Sequence, residues 1–125
     1  MTNQQGLPAH SDPIEAVKHY INEHIHEPLQ RGVLAGVVGF SVPHLHRIFT
    51  EQVGENIAGY VRRVRLERAA RKLRAGAVDI TEVALAAGYD THAAFGKAFK
   101  GHFGLSPSEF RQLGCFRATQ LLRKG

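Results

Sequence analysis

Two stretches of the sequence, LAGVVGF at 34–40 and VALAAGY at 83–89, each place an apolar–Ala pair a few residues before a Gly-aromatic step. A cap candidate follows each glycine, Ser41 in the first copy and Asp90 or Thr91 in the second. An apolar ladder comes next: Leu45, Phe49, Val53 closed by Gly54, then Phe95, Phe99, Phe103 closed by Gly104. Both ladders step by four, and the copies lie 49–50 residues apart with one residue of slippage. A step of four puts side chains on one face of an α-helix. Each copy therefore predicts a short helix, a Gly-containing turn and a longer helix, the outline of a helix-turn-helix. One such copy reads as an ordinary αα-hairpin. Two copies in a basic chain favour the helix-turn-helix.

The remaining punctuation is helical too, so the expected fold is all-α, with about seven helices. Asp12, Pro13 and Glu15 form an N-cap, a first-turn proline and a capping-box position ahead of Ile14, Val17, Ile21 and Ile25, a ladder that ends before Pro28. Asp79 with Glu82 and Ser106 with Glu109 repeat the device. Asn56 caps a long segment from Ile57 to about Ala75, where Ile57, Val61 and Val64 begin an apolar stripe. GVLAGVVGF at 32–40 is valine-rich and ambiguous by propensity; its repeat partner makes it helical. Nowhere do β-prone residues alternate between turn signals. The expected organisation is a leader at 1–11, a first helix-turn-helix unit at 12–55, a connecting helix at 56–76, a second unit at 77–113 and a basic tail at 114–125.

The charge balance narrows the partners. There are 16 Lys and Arg against 11 Asp and Glu, a net +5, and 43% of residues are hydrophobic. That is apolar enough for a packed interior and basic enough to favour a polyanion. Of the cations 11 are arginine, the side chain suited to bidentate recognition of phosphate and guanine. The single cysteine, Cys115, excludes a disulfide framework and a multi-Cys zinc site and fits a reducing cytoplasm. No apolar run approaches the roughly 20 residues of a membrane span, and residues 1–10 carry no signal-peptide pattern. Expected are a cytoplasmic protein, no membrane partner and no cofactor. His44 and His46, two apart, point about 200° away from each other around a helix, so they cannot share a metal. His24 and His26 meet the same objection, and no other histidine has ligand spacing.

On a helix starting near Ser41, Leu45, Ile48 and Phe49 turn inward, and Pro43, His46, Arg47 and Thr50 form the opposite stripe. Arg47 suits guanine O6 and N7, His46 an acceptor on a neighbouring base or phosphate, and Pro43 a thymine methyl. The matching stripe of the second copy is Ala93, Gly96, Lys97 and Lys100, with His92 and Ala94 at its margin. Small residues offer base edges few hydrogen bonds, and lysines act as point charges toward phosphates. The halves are therefore expected to be unequal, the first reading sequence and the second mainly gripping the backbone. Gly96 costs a helix about 1 kcal/mol relative to Ala; close backbone approach, helix packing or drift would account for it. Between the copies lie seven cations from Arg62 to Arg74, of which some pair with Glu67 and Arg62 and Arg63 are the better phosphate candidates. A connector of nineteen residues spans about 28 Å, against about 34 Å between successive major grooves.

These residues resemble the DNA-binding domain of the AraC/XylS family of bacterial transcription regulators, over roughly residues 12–113. The resemblance is carried by GFSVPHLHRIFTEQVG, YVRRVRLERAARKLR, ITEVALAAGYDTHAAFGKAFKGHFGLSPSEFR and the run from Pro107 to Arg111. It implies a recognition helix from each unit in the major groove, with base contacts from Pro43, His46 and Arg47 in the first and Ala93, Ala94 and Lys97 in the second. Phosphate contacts are expected from Ser41, Thr50, Arg62, Arg63, Thr91, His92 and Lys100. Arg31, Gly32 and Gly36 depart from the family pattern in the leading helix of the first unit. The chain resembles the short stand-alone members or an excised domain of a larger regulator. Met1, so near the domain, would put any missing part C-terminal. The expected function is a monomeric, sequence-specific regulator on double-stranded DNA that occupies a promoter and contacts RNA polymerase, and is not an enzyme. The rival is a non-specific or architectural DNA-binding protein. A DNA-repair enzyme would want more thiolate chemistry than Cys115 alone offers, and a helical protein-interaction module would lack salt-dependent DNA affinity.

Overall fold

A computed structural model describes residues 12–76 and 79–113. The described residues form seven helices, α1 (Pro13–Glu23), α2 (Arg31–Val38), α3 (Val42–Val53), α4 (Ile57–Arg74), α5 (Ile80–Ala86), α6 (His92–Phe103) and α7 (Pro107–Gln112), and no strand. The chain divides into two units between Val61 and Arg62, inside α4. The leader at 1–11 and the tail at 114–125 lie outside the described residues.

In the first unit Asp12 accepts hydrogen bonds from the backbone N–H groups of Ile14 (3.0 Å) and Glu15 (3.5 Å). Glu15 is drawn to Lys18 at 3.2 Å, an exposed pair of small energetic weight. The helix stops at Glu23, sooner than the apolar ladder implies. His24 caps it, with its ring stacked on Tyr20 at 4.0 Å and its Nδ1 3.0 Å from the Tyr20 carbonyl. Ile25 is nonetheless buried, delivered to the core from a turn, because Pro28 cannot continue a helix and restricts the residue before it. Ile14, Val17, Ile21, Leu34, Leu45 and Phe49 fill the core of this unit. Tyr60 enters it from α4, edge-on to Phe49 at 5.5 Å, its hydroxyl accepting from Asn22 at 3.2 Å.

The second unit is built on phenylalanine. Phe95, Phe99 and Phe110 are fully buried with Leu66, Ala69, Leu73 and Val83. Phe99 lies 5.6 Å from Phe95, 4.5 Å from Phe103 and 5.4 Å from Phe110, in tilted and edge-on geometries that suit aromatic quadrupoles. A complete capping box starts α7: Glu109 N–H donates to Ser106 Oγ (3.1 Å), and Ser106 N–H donates to Glu109 Oε1 (2.9 Å). Asp79 caps α5 through Thr81 and Glu82.

The connecting helix α4 has 18 residues, its start capped by Asn56, which accepts from Gly59 at 2.7 Å. It has no single apolar face. Ile57, Tyr60, Val61 and Val64 are buried on one ladder, and Leu66, Ala69, Ala70 and Leu73 on another. The step of two from Val64 to Leu66 carries the apolar stripe about 200° around the helix. Tyr60 of the early ladder reaches Phe49, and the late ladder belongs to the core of the second unit.

Candidate nucleic-acid interface

Each copy of the repeat turns through a glycine. Gly39 (φ 73°) and Gly88 (φ 91°) occupy the left-handed region that L side chains rarely adopt. Phe40 N–H donates to Ala35 O at 3.0 Å, and Tyr89 N–H donates to Ala84 O at 3.1 Å, the six-to-one closure of a Schellman motif. The two closures are 49 residues apart, while the caps of the next helices, Ser41 and Thr91, are 50 apart. Asp90 is thus the extra residue, and Thr91, accepting from Ala94 at 3.0 Å, is the cap. Ser41 accepts from His44 at 3.2 Å. The chain bends by 80° between α2 and α3.

Beyond the turns the two longer helices are matched. Leu45 and Phe49 in α3, and Phe95 and Phe99 in α6, are buried to 1% or less. The opposite stripes face out: Pro43, Arg47 and Thr50 are exposed, as are Ala93, Ala94, Lys97 and Lys100. His46 and Gly96, equivalent by the offset of 50, are half-buried at the margins. His44 stacks on Phe40 at 4.4 Å and so belongs to the turn. An alanine Cβ at Gly96 would meet nothing within 4 Å, which removes helix packing as the reason for this glycine. Ser41, Thr91, His92 and Arg62 are exposed. Arg63 is half-buried and pairs with Glu67 at 3.3 Å, the kind of partner expected for some connector cations.

Three residues escaped sequence reasoning. Glu51 is exposed on α3, one turn beyond Arg47, where the second copy has Gly101. Arg65 lies over the second turn, its Nη1 3.3 Å from where a Cβ on Gly88 would sit. Tyr89, the next residue, has its phenol pKa raised by burial, opposed by the charges of Arg62 and Arg65. The Tyr-for-Phe difference at 89 and 40 was the available signal for the last.

The charge is as uneven as the stripes. The first unit has three cations (Lys18, Arg31, Arg47) against six carboxylates, a formal −3, and the second has thirteen against five, a formal +8. Among the described residues no three of His, Cys, Asp and Glu converge as a metal site would need. No single helix among them is long and apolar enough to cross a membrane.

Two capped helices, each set after a glycine turn with its polar stripe outward, define a double helix-turn-helix protein. The profile of the helix-turn-helix domain matches residues 34–113. The probable transcription factor PqrA of Proteus vulgaris is 36% identical over 93 residues, which is 74% of this chain and 76% of that protein. The regulatory protein SoxS of Salmonella typhimurium is 32% identical over 103 residues, 82% of this chain and 96% of that one. Among solved structures, the DNA-binding domain of the global transcriptional factor AdpA, in complex with a target DNA, matches with a TM-score of 0.73 at 27% identity, covering 87% of this chain and 96% of that one. The chain belongs to the AraC/XylS family of helix-turn-helix transcription regulators.

Proposed function

We propose that this chain is a sequence-specific regulator of transcription that binds double-stranded DNA by laying α3 and α6 in successive major grooves on one face of the duplex. The observation that carries the reading is the pair of exposed stripes, each set opposite two fully buried rungs, Leu45 and Phe49 in α3 and Phe95 and Phe99 in α6, at the same offset of 50 residues. The 18 residues of α4 span about 27 Å, the same order as the roughly 34 Å groove repeat. The likeness to the AdpA domain, itself solved in complex with a target DNA, supports binding to double-stranded DNA.

The two helices divide the work. Pro43, His46 and Arg47 read base edges, with Ser41 and Thr50 on flanking phosphates. The second unit holds the backbone through Thr91, His92, Lys97, Lys100, Arg62 and, less freely, Arg63, while Ala93 and Ala94 meet thymine methyls. The −3 and +8 charges of the two units favour this partition, since backbone affinity scales with the phosphates neutralised. We assign the chain to the cytoplasm, as a monomer on its site, with no enzymatic step and with RNA polymerase as the partner it touches at a promoter. Competition binding tests the reading: selected DNA should be preferred about 10³-fold or more over random duplex. The plain stripe of α6 favours a second reading, non-specific or architectural binding, and a ratio near one would establish it.

A further inference from the structure

The turn before α6 holds a cluster that the recognition stripes do not use. Arg62 and Arg65, three residues apart on α4, are neighbours on one helix face. Arg65 rests its guanidinium on Gly88, with Nη1 3.3 Å from the position of an added Cβ. Tyr89 follows, half-buried, its ring 5.7 Å from that of Phe95. The charges of both arginines reach its hydroxyl. The first copy has no counterpart, because an added Cβ at Gly39 meets nothing within 4 Å and Phe40 lacks a hydroxyl. Two like charges on adjacent turns repel each other, and a phosphodiester placed between them accepts from both guanidinium forks and from the phenol O–H.

We propose that Arg62, Arg65 and the Tyr89 hydroxyl form a seat for one DNA backbone phosphate at the turn leading into α6. The proposal rests on the DNA-binding reading above and adds Arg65 and Tyr89 to it. A single phosphate held this way adds a fixed point to α6 on the groove, where Ala93, Ala94 and Gly96 offer base edges no side-chain hydrogen bond.

The test uses the full chain on a random-sequence duplex, with affinity followed against salt and folding followed by thermal denaturation. Arg65→Met keeps the alkyl stem over Gly88 and removes the charge. It and Arg62→Gln should each shallow the salt slope by about one unit and weaken binding about fivefold near 0.15 M salt. Arg65→Lys should restore the slope, and Tyr89→Phe should weaken binding at least twofold with the slope unchanged. An unchanged slope in Arg65→Met, whatever its melting temperature, makes Arg65 a structural prop and overturns the proposal. If Arg65→Met does not fold, Tyr89→Phe decides, and full affinity there overturns it. Wild-type protein without salt-dependent DNA binding would instead sink the DNA-binding reading itself.

Discussion

Alanine at the two turn glycines separates a backbone requirement from a packing one. At Gly39 (φ 73°) a methyl group meets nothing within 4 Å, so the substitution pays only for left-handed backbone, about 1–2 kcal/mol. At Gly88 (φ 91°) the same penalty applies, and the new Cβ also sits 3.3 Å from the Arg65 guanidinium. That group is the end of a flexible side chain and yields by a few tenths of an ångström, so the added penalty is the low end of overpacking, about 1 kcal/mol. Urea unfolding followed by circular dichroism should show Gly88→Ala losing about 2–3 kcal/mol, and Gly39→Ala about 1 kcal/mol less than that. Combining Gly88→Ala with Arg65→Ala should recover the excess as a coupling of about 1 kcal/mol. Equal losses at the two glycines, or additive effects in the double variant, would refute the contact between Arg65 and the second turn.

Arg47→Ala should lose about 1–3 kcal/mol of affinity for a selected site and relax the preference at one base pair; equal losses on all sequences would contradict base reading. Lys97→Ala should weaken binding evenly across sequences and shallow the salt slope by about one unit, and a change in preferred sequence would refute the unequal halves. Gly96→Ala, with open space around its Cβ, should raise stability by about 1 kcal/mol yet weaken DNA binding, since the methyl intrudes at the margin of the groove-facing stripe; unchanged affinity would exclude close DNA approach there. Glu109 has its carboxyl held below the ordinary range by its backbone and side-chain bonds to Ser106, so its stabilisation is full above that range and fades as pH falls through the lowered value. The melting-temperature gap between wild type and Glu109→Gln should therefore close in acid, and a gap independent of pH would contradict the charge-assisted capping box.

Much of this architecture is written in short-range chemistry and was readable from residues alone. The caps at Asp12, Ser41, Asn56, Asp79 and Ser106 each need one side-chain oxygen at a fixed offset from an apolar ladder, and all form as that offset implies. The helix at α2, ambiguous by propensity, became legible through its partner at α5. What stayed hidden depends on distance in space. The slippage in the repeat located the insertion but left Asp90 and Thr91 open until the cap geometry chose Thr91. Ile25 kept the period of α1 although the helix had ended, because burial follows direction from a turn as well as from a helix. The second ladder of α4 is half alanine, too weak a signal beside so many arginines. Nothing in the sequence around Gly88 announces that an arginine 23 positions earlier lies on it.

The most direct measurement is hydroxyl-radical footprinting of the full chain on a site selected from a random duplex pool. Two protected patches on the same face of the DNA, separated by about one helical turn of 10 base pairs, are the expected result, with the patch assigned to α3 lost selectively in Arg47→Ala. Protection confined to a single groove, in wild type as in the variant, would contradict simultaneous docking of α3 and α6.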